Sequence, residues 1–213
     1  MRKIKMLAIS DLHAEEQVLD RLRMASFKGN YDYVAVLGDI TTNGPLSYAR
    51  DLAEIMPDSF FLFGNNDSSE VAQFLTGCKN YCHGKKIALG DWNVVGWGGS
   101  NRTPFNTLFE FEEQEIEKGL EKAGVDEFTI LLTHAPPFGF FDTAPGGIHV
   151  GSVAVRKVID RHKPLINVCG HMHEHSGSML HNETLIVKVP AATKLVGTEI
   201  TISDSIQAKT IRL

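Results

Sequence analysis

The sequence is poor in features typical of secreted, membrane-spanning and disulfide-stabilised proteins. Its 213 residues include three cysteines, Cys78, Cys82 and Cys169, an odd number that does not suggest a disulfide framework. We interpret them as free thiols in a reducing cytosol, because no second cysteine pair completes a zinc site. No apolar run approaches the roughly 20 residues of a membrane span, and Asp11 interrupts the N-terminal run too early for a signal peptide. We therefore expect a cytoplasmic protein that makes no membrane contact.

Clustered positive charge is also missing. Lysine and arginine number 21 against 26 acidic residues, and the formal net charge is -5. This balance argues against a nucleic-acid backbone as the main partner. A small phosphate ester stays compatible, since a bound metal ion can supply positive charge locally. The length and the absence of repeats or linkers predict a single domain over residues 1–213, with the oligomeric state left open.

Five strand-like apolar runs each end in a small residue and then in Asp, Asn or His. The clearest run is 33–37, followed by Gly38 and Asp39. An unpaired buried carboxylate is costly, so Asp39 is expected on the rim of a sheet, where open α/β sheets bind ligands. If the five runs lie parallel in one sheet, seven metal-capable side chains converge on one edge. These seven are Asp11, His13, Asp39, Asn65, His134, His171 and His173.

Hydrophobic periodicity predicts a β-α-β-α-β-α start, which favours a parallel sheet with right-handed crossovers. Residues 86–97 are typical of a hairpin, residues 98–104 of a loop and residues 135–151 of a long irregular segment, whereas the chain after residue 176 is typical of antiparallel β structure. The predicted helices are 11–27, 46–55, 68–75, 110–123 and 152–162. The predicted strands are 3–9, 33–37, 59–63, 86–89, 93–97, 127–133, 165–169, 177–181, 184–189, 195–202 and 206–212.

Taken together and in order, the polar blocks resemble those of the calcineurin-like metallophosphoesterases. The resemblance covers residues 1 to about 190. It implies an α/β fold with two facing mixed β-sheets flanked by helices, a four-layer αββα sandwich whose second sheet comes largely from the C-terminal part. The matching blocks are Asp11-Leu12-His13, Gly38-Asp39 with Gly44, Gly64-Asn65-Asn66-Asp67, His134 and Gly170-His171-Met172-His173.

The resemblance also implies two divalent metal ions that share one bridging aspartate. Such mixed carboxylate, imidazole and amide ligands suit transition ions better than magnesium or calcium, so we expect manganese, with iron, zinc or nickel as alternatives. A hydroxide bridging the two ions would attack the phosphate ester. The implied ligands are Asp11, His13, Asp39 and His173 for the first ion, and Asn65, His134, His171 and again Asp39 for the second.

The sequence departs from the family at Asn66, where many members have histidine. Asparagine donates a hydrogen bond but cannot deliver a proton near pH 7, so esters with good leaving groups are favoured. His149 in the long loop is a candidate replacement acid, and Arg102 a candidate phosphate-binding residue. The predicted catalytic residues are thus Asn66, Asp67 and His149, and the predicted substrate-binding residues are Asn66 and Arg102.

The leading interpretation is a metal-dependent phosphodiesterase. A phosphomonoesterase is the close alternative, and a non-catalytic metal-binding scaffold of the same fold is the alternative from another class. The segment 171–175 is also similar to the H-x-H-x-D-H block of metallo-β-lactamases. That reading is disfavoured because three carboxylate or amide blocks precede the segment here, and because Glu174 stands where that family has aspartate.

Overall fold

Two six-stranded β-sheets face each other in the computed structural model, which describes residues 3–24 and 30–213. The first sheet has the strand order β16-β15-β1-β2-β3-β4, and the second has the order β13-β14-β12-β9-β6-β5. The strands of the first sheet are β1 (Ile4–Ile9), β2 (Tyr33–Leu37), β3 (Phe60–Leu62), β4 (Asn80–Tyr81), β15 (Val196–Ile202) and β16 (Ile206–Arg212). Those of the second are β5 (Lys86–Leu89), β6 (Trp92–Trp97), β9 (Thr129–Thr133), β12 (Ile166–Cys169), β13 (Gly177–His181) and β14 (Thr184–Lys188).

Both sheets are mixed, with parallel strands at their centres. In the first sheet β1 to β4 run parallel, β15 pairs with β1 in the antiparallel direction, and β16 forms the edge antiparallel to β15. In the second sheet β6, β9, β12 and β14 run parallel, and β5 and β13 are antiparallel edge strands. Central strands such as β9 and β12 are buried along their whole length, which explains why their sequences are continuous apolar runs.

Within the described residues, five α-helices cover the outer faces of the sheets. One apolar cluster lies between the sheets and draws residues from both, including Met6, Leu37, Ile130 and Val168. A second cluster packs α1, α2 and α3 on the first sheet, and a third packs α4 and α5 on the second. The predicted four-layer arrangement is therefore confirmed. The helices are α1 (Glu16–Met24), α2 (Leu46–Ile55), α3 (Ser69–Leu75), α4 (Glu113–Ala123) and α5 (Val153–His162).

The five apolar runs that end in Asp, Asn or His are divided between the two sheets. The expectation that all five lie in one sheet is therefore wrong. The strands β1, β2 and β3 lie in the first sheet, and β9 and β12 lie in the second. The C-terminal β structure is divided as well, because β13 and β14 join the second sheet while β15 and β16 join the first. A strand buried on both faces has the same apolar pattern in either sheet, so periodicity cannot assign it.

Three predicted segments differ in detail from the structure. The first helix begins at Glu16 rather than residue 11, because Asp11, His13 and Ala14 have positive φ. The predicted end of this helix at residue 27 lies outside the described residues. Residues 110–111 form a short strand, β8 (Glu110–Phe111), parallel to β7 (Ser100–Asn101) in the predicted loop, so α4 begins later. The irregular segment contains a small hairpin of β10 (Thr143–Ala144) and β11 (Ile148–His149). Among the described helices, none is both long and apolar enough to cross a membrane.

Candidate metal centre

The seven predicted ligands meet where strand ends of the two sheets face each other. Backbone hydrogen bonds join the loops within each sheet: Asp11 N donates to Gly38 O at 3.1 Å, and Gly170 N donates to His134 O at 2.9 Å. The loops after β1, β2 and β3 supply Asp11, His13, Asp39 and Asn65, and the loops after β9 and β12 supply His134, His171 and His173.

Asp11, His13 and His173 form a first ligand group, whose donor atoms all lie within 4.8 Å of one another. His13 Nε2 and His173 Nε2 are 3.1 Å apart, and His173 Nε2 is 3.5 Å from Asp11 Oδ1. Two imidazole nitrogens that face each other at this distance cannot both carry a proton without a clash. Their convergence beside a buried carboxylate is the arrangement that a cation completes.

Asp39, His134 and His171 form the second group. His134 is fully buried, with Nδ1 2.8 Å from Leu37 O and Nε2 2.9 Å from Asn65 Oδ1. The contact with the carbonyl of Leu37 fixes Nδ1 as the protonated nitrogen and leaves Nε2 as the donor for a metal ion. Asn65 thus belongs with this group through its side-chain oxygen.

One carboxylate spans the two groups. Asp39 Oδ1 is 3.5 Å from His134 Nε2, and Asp39 Oδ2 is 3.9 Å from His13 Nε2. The preceding Gly38 has φ +97°, and a Cβ there would lie 2.5 Å from Gly64 N. Glycine is therefore required before Asp39, because only glycine allows this backbone turn and the close approach of the loop after β3.

Burial and mutual charge set the protonation of the centre. Burial alone would lower the pKa of His134, but the Asp39 carboxylate outweighs it and raises that pKa to about 9. Burial also opposes ionisation of Asp11, yet its contact with His173 and the charge of His134 hold its pKa below the usual range. Burial and the charge of His134 lower the pKa of His171 to about 4. Ionised carboxylates beside imidazoles, which lose any ring proton when a metal ion binds, suit borderline transition ions, so the residues present fit a two-metal site.

A threonine and a glutamate that the sequence analysis missed hold Asn65 in place. Asn65 Nδ2 donates to Thr107 Oγ1 at 3.0 Å, which turns Asn65 Oδ1 toward His134. Thr107 Oγ1 in turn donates to Glu110 Oε1 at 2.6 Å. The Glu110 carboxylate also accepts from Thr107 N, Thr103 N and Thr103 Oγ1. Partial burial works against ionisation, but these bonds prevail and lower its pKa to about 2. No sequence pattern indicates this link, because it joins a strand end to a loop 42 positions later.

Asn66 and Asp67 lie beside the ligands and contact the loops rather than open space. Asn66 donates to both oxygens of Asp39, from its backbone N at 2.9 Å and from Nδ2 at 2.7 Å. Asp67 is fully buried and accepts from the backbone N atoms of Ile40, Thr41 and Gly64. Burial and the Asp39 charge raise the pKa of Asp67 to about 6. Asp67 thus fastens the loops after β2 and β3 from behind the ligands.

The remaining two predicted residues lie on surrounding loops. Arg102 is exposed and its Nε donates to Glu112 Oε1 at 2.8 Å, so its guanidinium already has a carboxylate partner. His149 lies on β11 with Nδ1 2.7 Å from Asp142 Oδ1. Asp142 is fully buried and is held by Gly139 N and Gly151 N. The register partner of His149, Thr143, contacts His175 Nε2 through its carbonyl, which ties the hairpin to the loop that carries His171 and His173.

Comparison with known proteins identifies relatives in sequence and in fold. An uncharacterized protein of Methanocaldococcus jannaschii is 34% identical over 183 residues, which cover 82% of each chain. The crystal structure of TT1561 of Thermus thermophilus superposes with a TM-score of 0.71 at 16% identity over 99% of this chain and 100% of that one. A dimetal phosphatase from Danio rerio superposes with a TM-score of 0.64 at 12% identity over 98% of each chain. At these identities the two structures show a shared fold. The sequence profile of the calcineurin-like phosphoesterases matches residues 4–175, and the chain belongs to that family.

Proposed function

We propose that this protein hydrolyses a phosphate ester in a reaction that depends on two divalent transition ions. The observation that carries the proposal is the pair of ligand groups joined by Asp39, with donor atoms in each group within 4.8 Å of one another. Asp11, His13, Asp39 and His173 would hold one ion, and Asn65, His134, His171 and Asp39 the other. Two such ions supply positive charge to the phosphoryl oxygens and acidify a coordinated water.

The protein's own residues set the shape and charge of this site. Asn66 donates to Asp39 from its backbone N and from Nδ2, so its proposed contribution is to orient the shared carboxylate. Asp67 fixes the same two loops from the interior and acts as a positioning residue in this proposal. Because Arg102 is paired with Glu112, it contacts phosphate only if that ion pair opens.

His149 is the proposed proton donor to the departing alkoxide. Its contact with the buried Asp142 orients the ring and directs Nε2 away from that carboxylate. The hairpin contact with His175 keeps this ring beside the loop that carries two metal ligands.

Phosphodiesters are the proposed preferred substrates. A monoester dianion carries one more negative charge than a diester, and the position that many relatives fill with histidine is the neutral Asn66 here. The nearby guanidinium of Arg102 is engaged with Glu112. A site with less positive charge for a dianion favours the diester. We further propose manganese as the working metal, a single domain, and a reducing cytosolic setting suited to the free thiols of Cys78, Cys82 and Cys169.

The test is turnover of aryl phosphates by protein stripped of metal and then reloaded with manganese. We expect a higher kcat/KM for bis-p-nitrophenyl phosphate than for p-nitrophenyl phosphate, and no turnover by the stripped protein. Asp39→Asn should lower kcat at least about 100-fold, whereas Asp160→Asn on α5 should not change it. A higher kcat/KM for the monoester would favour the phosphomonoesterase. No turnover with manganese, iron, zinc or nickel would favour the scaffold.

The role of His149 is tested with leaving groups of different acidity. His149→Ala should lower kcat about 100-fold or more for an alkyl ester, but little for a nitrophenyl ester that departs without a proton. His162→Ala is the matched control, because His162 also contacts a carboxylate, Glu121, but lies between α4 and α5. An equal loss on both esters would contradict proton donation by His149.

A further inference from the structure

Large apolar side chains are exposed on two loops beside the candidate metal centre. The described residues include nine exposed large hydrophobic side chains, and four of them lie in segments 103–110 and 135–151. Phe105 is 81% exposed and Ile148 is 64% exposed. We define these four, Phe105, Leu108, Phe138 and Ile148, as the apolar rim. Such a concentration next to a polar centre indicates a recognition surface.

The first loop of the rim is an arch held over one carboxylate. Glu110 accepts four hydrogen bonds from Thr103 and Thr107, so both feet of the arch are fixed and Phe105 lies at its tip. Thr107 also contacts the predicted ligand Asn65 at 3.0 Å. The exposed side chains of this arch are therefore presented by a preorganised loop that is attached to the metal centre.

The second loop of the rim carries the proposed proton donor. The ring of Phe138 lies 5.3 Å from the ring of His149, and Ile148 is the residue before it. Asn101 Nδ2 donates to Val150 O at 3.1 Å, which joins this loop to the base of the arch. The two parts of the rim thus border the same site from connected loops.

The charges around the rim select the kind of ligand. Residues 135–151 contain no lysine or arginine, and Arg102 at the base of the arch is paired with Glu112. This surface does not complement an anionic membrane or a nucleic-acid backbone. Exposed phenylalanine rings suit an uncharged aromatic group, which packs on them by offset or edge contacts.

We propose that the apolar rim binds an aromatic group on the phosphate ester, so that the substrate class is aromatic rather than small alkyl phosphodiesters. The inference rests on the proposed function for the position of the phosphoryl group. The rim then acts as the specificity surface, with Phe105 and Leu108 contributed by one loop and Phe138 and Ile148 by the other.

The test compares two phosphinate monoanions, which carry the charge of a phosphodiester and have P–C bonds in place of the ester bonds. Methyl(phenyl)phosphinate and dimethylphosphinate are titrated into the manganese-loaded protein by calorimetry. We expect methyl(phenyl)phosphinate to bind about tenfold more tightly, since part of its ring is removed from water. The double variant Phe105→Ala, Leu108→Ala should reduce this ratio to below about twofold. Phe128→Ala should preserve the ratio, because Phe128 is also exposed, at 54%, but precedes β9 at the end opposite His134.

The possible outcomes distinguish a failure of aromatic binding by the rim from a failure of the proposed hydrolysis. Equal affinities in the unaltered protein, a phenyl preference that survives the double variant, or no binding of either compound would overturn the inference. Equal affinities together with turnover of nitrophenyl esters would reject aromatic binding by the rim and leave the proposed hydrolysis standing. A Phe105-dependent phenyl preference without turnover would support the rim and reject the hydrolysis. If the protein shows no phenyl preference but sediments with phosphatidylcholine vesicles in a Phe105-dependent way, the rim binds a membrane and the proposal of a small aromatic ligand is rejected.

Discussion

Replacing Thr107 by valine should weaken one half of the metal centre and leave the fold in place. Valine has nearly the shape of threonine but lacks Oγ1, which accepts from Asn65 Nδ2 at 3.0 Å and donates to Glu110 Oε1 at 2.6 Å. Losing one neutral bond and one bond to a charged group costs about 2–4 kcal/mol for buried groups. Because Thr107 and Glu110 are only half-buried, we expect a smaller loss of about 1–2 kcal/mol in unfolding free energy.

The larger expected effect is on metal affinity. Without Thr107 Oγ1 nothing fixes which end of the Asn65 amide faces His134, and outer partners of this kind are typically worth about 10–100-fold in affinity. Manganese titration by calorimetry should therefore show one site weakened by about 10–100-fold and the other unchanged. Thr107→Ser keeps the hydroxyl and is the matched control. Two unaltered sites in Thr107→Val, with Asn65→Ala losing one, would refute the orienting role.

Three further outcomes are expected from the buried charges and the site. Glu199 accepts from Lys209, Lys5 and Tyr31, which lower its pKa from 4.5 to about 2. The resulting stabilisation of the folded state is present above pH 4.5 and is lost as the pH falls from about 4.5 to 2. In Glu199→Gln the melting temperature should therefore fall less steeply with decreasing pH in this range. Burial lowers the pKa of His83 from 6.5 to about 4, so the native state resists protonation of this ring. The free energy of unfolding should therefore decrease as the pH falls from 6.5 to about 4, and His83→Gln should make that decrease smaller when it is measured by urea unfolding. Chelation should lower the melting temperature and manganese should restore it, because the ion binds the folded state; an unchanged temperature after verified metal removal would contradict a resident metal.

Much of the fold follows from burial patterns that the sequence displays directly. The predicted helix 46–55 has the bounds of α2, and Ser68, the first residue of the predicted helix 68–75, caps α3 with its side chain accepting from Val71 N. The predicted start of the first helix is wrong because Leu12 continues the amphipathic pattern, whereas the backbone of Asp11 and His13 turns to positive φ. Periodicity reports which faces are buried, and it does not report such local turns.

Some residues of the candidate site can likewise be identified from the sequence, and others cannot. Residues directly after buried strands, such as Asp39 and His134, are identifiable because strand ends place them. Thr107 and Glu110 are not, since their importance comes from contacts between loops that no local pattern encodes. The phosphate-binding prediction for Arg102 comes from its loop setting, and its contact with Glu112 depends on the start of α4.

The division of the ligands between two sheets has a consequence for the order of events during synthesis. His13 and His173 are 160 positions apart, and β1 pairs with β15 near the other end of the chain. A nascent polypeptide that has not passed β12 lacks a histidine for each ligand group, so neither group can be completed on the ribosome at that stage. In the proposed two-metal protein, loading of cations would therefore be a late event, after the second half has docked on the first.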